Sequence, residues 1–158
     1  MDNNKLQKYA LVAEVVAGIA IVVTIAFLAF EMRSNTNAVR AQTFQSLMQQ
    51  INDYRMSLVH PARVVANEKR RQSGWNSLSR VEKQELRIPT LVNWGIYESA
   101  FFANERGLLG EAEWNRFQNA ICRRRETDDY MWSPEGITSM NELLTTDFVG
   151  YIQTSCPR

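Results

Sequence analysis

The hydrophobic pattern of this 158-residue chain changes character once, near position 30. From Leu11 to Phe30 apolar residues fall on every face of a helix, and the run holds a single acid, Glu14. Twenty helical residues rise about 30 Å, the thickness of a bilayer's hydrocarbon core. The large side chains of the run (Leu, Val, Ile and Phe) favour insertion by very roughly 4 to 7 kcal/mol, more than Glu14 opposes. A transmembrane helix is the predicted element. A cleaved secretory signal would have a shorter apolar core and a small-x-small exit, whereas this run ends Leu28-Ala29-Phe30-Glu31-Met32-Arg33. Residues 1–32 are therefore read as a tail and an uncleaved anchor in the cell membrane, in contact with its lipids.

Beyond the anchor the pattern becomes amphipathic. The stripe Ala41, Phe44, Met48, Ile51 and Leu58 recurs at alternating steps of three and four, interrupted by Arg55, with glutamines on other faces. His60-Pro61 should end that helix, and Pro61 should open a new one through Arg71, with a break at Ser73-Gly74. Ser79-Arg80-Val81-Glu82 is a capping box that predicts a long helix from Arg80, kinked at Pro89 and closed by Arg106-Gly107. Glu111 and Glu113 favour a further start, Ser133-Pro134-Glu135 opens another helix with Ile137, Met140 and Leu144 inward, and a last turn holds Phe148 and Ile152. Trp94, Phe101, Trp114 and Phe117 should form the centre of the core. No stretch alternates with period two, so the expected fold is all-α: one N-terminal transmembrane helix followed by a small helical-bundle domain, residues 33–158.

Charge adds one exclusion. With 18 basic and 17 acidic residues the chain lacks the strongly basic face of a nucleic-acid module. Lys5 and Lys8 flank one end of the anchor and Arg33 and Arg40 the other, so the positive-inside rule has little to act on. A cytoplasmic main domain is the orientation taken. Lys69-Arg70-Arg71 and Arg123-Arg124-Arg125 each fall near a predicted helix C-terminus, where positive charge is favourable. Contact with anionic lipid heads is their functional alternative and would suit that orientation.

Counting removes several chemistries. There is no His-Glu-x-x-His, Gly-x-Ser-x-Gly or phosphate-binding glycine loop, and His60 is the only histidine, so no metal or cofactor site is expected. Cys122 and Cys156 form no Cys-x-x-Cys pair; one disulfide or two ordinary thiols fit equally. Glu98 and Glu105 lie seven apart among aromatic residues and are candidates for a polar pocket, against the blander reading of two helix-boundary carboxylates paired with bases. Glu14 has Ala10, Ala13, Ala17 and Gly18 around it on the helix surface, so it either snorkels to the headgroups or hydrogen-bonds across a close helix–helix contact. Ala13, Ala20, Phe27, Ser34, Ala41 and Met48 recur every seven residues, extending that face beyond the membrane if the helix survives Ser34-Asn35-Thr36-Asn37.

The run from Arg33-Ser34-Asn35-Thr36-Asn37-Ala38-Val39-Arg40-Ala41 to Leu47 resembles the start of a family of uncharacterised bacterial single-pass membrane proteins. That family carries an anchor helix with an early Glu, then an Arg-x-Asn-Thr-x-Ala-x-Arg-Ala segment. Leu78 to Glu82, Glu98, Gly107-Leu108-Leu109, Trp114 and Phe148 are similar too. The resemblance implies a bacterial cell-membrane protein and brings no activity. The functional expectation is an accessory or interaction subunit, docking on a larger membrane complex or on a second copy. The rival is a membrane-anchored enzyme or small-molecule sensor built on Glu98 and Glu105.

Overall fold

A computed structural model describes residues 3–128 and 140–156, with side chains described at Tyr9 and from Leu11 onward in the first helix. Helix α1 (Asn3–Ser57) is followed by α2 (Pro61–Ser73), a 3-10 turn (Trp75–Ser77), α3 (Arg80–Glu105), α4 (Glu111–Thr127) and α5 (Thr146–Ser155). Residues 140–143 are also helical, and no strand occurs among the described residues. The all-α expectation holds. The start expected at Ser133-Pro134-Glu135 and the inward turn of Ile137 lie outside the described residues, whereas Met140 and Leu144 are buried.

The chain forms two units, residues 1–39 and 40–158. In the first, α1 exposes every side chain from Leu11 to Val39. It is the one helix long and apolar enough to cross a membrane among the described residues. The helix does not break at Ser34-Asn35-Thr36-Asn37, although those residues are poor helix formers. Two threonine hydroxyls follow the i−4 habit of helical hydroxyls, donating to the carbonyls of Ala20 and Met32 at 2.8 Å each.

In the second unit the last turns of α1 become amphipathic. Leu47 is buried, and Phe44, Met48, Ile51 and Tyr54 are half-buried. Ala41 and Leu58, expected on this seam, are exposed; Leu47 is its centre instead.

Helix α3 carries the core on two faces. Trp94 and Phe101 pack with Ile121, Phe148 and Ile152, while Ile96, Ala100 and Ala103 pack with Leu47, Leu109 and Phe117. A helix buried on both sides must be apolar on both, which is why α3 holds so many of the domain's aromatic residues. Trp94 and Phe148 are wholly buried, and emptying either site should cost about 3 to 5 kcal/mol. Trp114 is half-buried at the edge, its ring 6.4 Å from Phe101 and 5.7 Å from Tyr151.

The helix ends follow their local chemistry. Ser79 and Glu82 complete both arms of the capping box: the Glu82 carboxylate accepts from Ser79 N–H at 2.6 Å, and Ser79 Oγ accepts from Glu82 N–H at 3.3 Å. At the other end Gly107 adopts φ 67°, and the N–H groups of Gly107 and Leu108 return to the carbonyls of Asn104 and Ala103 at 2.8 Å. That pairing is a Schellman motif, and it needs a residue free to adopt positive φ. Arg40 Nε donates to the Gly107 carbonyl at 2.9 Å, tying α1 to the same turn.

Pro89 lies buried inside α3. Proline has no N–H, so the carbonyl four residues back, on Glu85, loses its helical partner. Arg63 of α2 supplies one: its Nε donates to Glu85 O at 2.9 Å. The same guanidinium also donates to the carbonyl of Ser57, the last residue of α1, and to Ser57 Oγ at 3.1 Å. One side chain therefore satisfies backbone on two helices besides its own.

Candidate functional site

The residues singled out in the sequence fall into separate places. Ala13, Glu14, Ala17 and Gly18 are exposed on α1, and a methyl added at Gly18 would meet nothing within 4 Å. The side chain of Ala10 lies outside the described residues.

Glu98 and Glu105 lie in different surroundings. The Glu98 carboxylate accepts from the backbone N–H of Thr145 at 2.6 Å and from its hydroxyl at 2.9 Å. Thr145 is the N-cap of α5, so Glu98 satisfies an orphan donor there and places negative charge at the positive end of a helix. Glu105 is exposed at the end of α3. The domain's clefts are lined by other residues. His60 is the exposed N-cap of α2, with no side-chain capping bond.

Cys122 of α4 and Cys156, just after α5, form a disulfide with Cα atoms 4.9 Å apart. Arg125 reinforces the same join. Its guanidinium donates to the carbonyl of Ile152 at 2.7 Å, of Gln153 at 3.3 Å and of Cys156, acceptors at the negative C-terminal end of α5. Spacing alone could not reveal this pairing, because it requires the register of α4 against α5.

The two basic clusters separate by role. Lys69 reaches Glu82 of the capping box at 2.9 Å. That ion pair, together with the bonds from Ser79, holds the Glu82 carboxyl down to about 2. Arg123 is exposed. Arg70 and Arg71 of α2 and Arg124 of α4 instead line one cleft of about 380 Å³, with Arg63, Glu68 and Asp128. Arg124 Nε lies 2.6 Å from the Asp128 carboxylate. Burial raises the pKa of Asp128 and Arg124 opposes that rise. Tyr54, also at this cleft, has its phenol pKa raised by burial.

Among the described residues no group of three or more His, Cys, Asp or Glu is placed to hold a metal ion. Comparison with protein-family models, with curated proteins and with solved structures finds no match.

Proposed function

We propose that this chain is a membrane-tethered accessory subunit that docks through α1 on a membrane protein or on a second copy of itself. The observation that carries the reading is the uninterrupted exposure of α1 from Leu11 to Gln42, twenty residues of which are almost wholly apolar. Such a surface is stable only when lipid or protein covers it. Glu14 and its small neighbours supply the means of a close contact, since small residues let helices approach and a carboxyl can hydrogen-bond across. The resemblance of Arg33 to Leu47 to a bacterial membrane-protein family supports a bacterial cell membrane as the site of this tether.

The disulfide bears on orientation. Bridges persist in oxidising compartments and are rare where thiols are kept reduced. A bridge between Cys122 and Cys156 favours the extracytoplasmic face for the domain, opposite to the cytoplasmic side expected from the sequence. Thiol labelling of membranes under non-reducing conditions, paired with a reporter fused after Arg158, decides the side. Free thiols and a cytoplasmic reporter would restore the earlier orientation.

Docking is tested by crosslinking the full-length protein in membranes at matched expression. Ala17→Leu and Gly18→Leu should abolish the crosslinked species by blocking approach. Glu14→Gln should weaken it least, because such interhelical bonds contribute only about 0.6 to 2 kcal/mol. Assembly unchanged in every variant, or a monomeric parent with no companion, would leave α1 as a tether alone.

A further inference from the structure

We propose that the arginine-lined cleft between α2, α3 and α4 binds the phosphate group of a small organic phosphate. The two basic runs are more than fifty residues apart in sequence, yet Arg70, Arg71 and Arg124 line the same cleft, with Arg63 beside them. Four guanidinium groups stand against the carboxylates of Glu68 and Asp128 and of Glu85, which is paired with Arg63 at 3.8 Å, and leave a formal excess of one positive charge (4 − 3). A phosphate monoester carries about −1.5 to −2 near neutral pH, a charge of the sign that this excess attracts.

The positions of the four arginines divide the work. Arg63 is engaged with the backbone of Glu85 and Ser57 and its side chain is only 16% exposed, so it forms a fixed wall. Arg124 is paired with Asp128 in the same partly buried region. Arg71 lies 3.9 Å from Glu68, but the two side chains are 74% and 55% exposed, and so open a pair contributes little. The guanidinium groups open to a ligand are therefore those of Arg70 and Arg71. Guanidinium forks match phosphate oxygens two at a time, and Arg is the residue preferred for that geometry.

Size and lining extend the argument from an ion to a molecule. A volume of about 380 Å³ lies within the range of small-molecule sites and exceeds what one phosphate fills. Leu86 and Pro89 of α3 give the cleft an apolar stretch against which an organic body can rest. This site is independent of α1 docking, and either can fail without the other.

The test uses the full-length chain in nanodiscs of zwitterionic lipid, titrated calorimetrically with inorganic phosphate, with glycerol 1-phosphate and with glycerol. Both phosphates should bind saturably and glycerol should not. The doubly substituted Arg70→Gln, Arg71→Gln protein should bind at least about tenfold more weakly, since two charge-assisted contacts are removed. Arg123→Gln, which removes a charge from the same run but outside the cleft, should change affinity by less than about twofold at matched salt. A lipid headgroup could present the same phosphate chemistry. If phosphatidylglycerol in the disc competes with glycerol 1-phosphate in the parent, the phosphate comes from lipid; if it does not, the ligand is soluble. Absence of saturable phosphate binding, or equal weakening by Arg123→Gln, would overturn the proposal.

Discussion

Between Leu11 and Val39 helix α1 exposes every side chain, whereas between Thr43 and Tyr54 the same helix buries Leu47 and half-buries Phe44, Met48, Ile51 and Tyr54. The backbone is alike in both stretches, because its hydrogen bonds are satisfied within the helix. What differs is the source of stability. The later turns gain it from α3 and α4 through Leu47, Ile96 and Phe117. Among the described residues the earlier turns are exposed on every face, so packing of that kind contributes nothing to them. The arrangement of side chains around a helix, rather than helicity itself, says which solvent it was built for.

The comparison is broken most forcefully by charge in the earlier stretch. Val22→Lys with Val23→Lys should disfavour insertion by about 6 to 8 kcal/mol, from the per-residue difference between Val and Lys near mid-membrane. That is comparable to the whole apolar gain of roughly 4 to 7 kcal/mol estimated for the span. The doubly substituted protein should leave the membrane fraction while the domain keeps its thermal unfolding. Retention in the membrane would show that the two stretches are not chemically distinct in the way described.

In the domain the largest effects should come from its core and its bridge. Phe148→Ala should lower stability by about 3 to 5 kcal/mol, read by denaturant unfolding. Reducing Cys122–Cys156 opens a separation of 34 residues and should cost about 4 kcal/mol by the chain-entropy relation. Neither change should alter partition into membranes. A loss of partition would mean that the two regions are coupled.

Arg63→Met should cost about 2 to 3 kcal/mol, since it leaves the Glu85 carbonyl without the donor that Pro89 cannot provide. Adding Pro89→Ala to that variant restores an N–H at the gap. Recovery of most of the loss would confirm that Arg63 serves the proline; two additive penalties would contradict it.

The smallest effect concerns pH. The Glu82 carboxyl is held down to about 2 by Lys69 and Ser79, below its unfolded value near 4.5. Its contribution is therefore fully present above about 4.5 and is lost as pH falls towards 2. Glu82→Gln should flatten the acid limb of the stability profile, slightly, because the pair is exposed and screened. An acid limb of unchanged slope would remove Glu82 from the account.

Features set by near neighbours in the chain were legible in the sequence. The apolar span, the Ser79 capping box, the break at Gly74, the glycine turn at Gly107 and the burial of Trp94, Phe101 and Phe117 all follow from spacing of one to seven residues. Features that join distant segments were not. Pro89 suggested a kink, but nothing in the sequence near it named Arg63 as the donor to Glu85. Glu98 could be read as one of two paired carboxylates or as a helix-boundary acid paired with a base, yet its partner is the start of α5, forty-seven residues on. The clusters at Lys69 and Arg123 looked like uniform basic runs, whereas packing sends Lys69 to Glu82, Arg125 to the end of α5, and Arg70, Arg71 and Arg124 to one cleft. Propensity alone also misjudged Ser34 to Asn37, since four weak helix formers sit between long stretches of strong ones and the cooperative helix carries through them.

The central claim is that residues 11–39 hold the mature protein in a membrane while residues 40–158 fold as a unit outside it. Intact-mass measurement on protein extracted from alkali-washed membranes tests both parts of the anchor claim at once. The account predicts an uncleaved N-terminal segment on a protein that detergent, and not alkali, releases. A product beginning near Ser34, or full-length protein released by alkali alone, would contradict it.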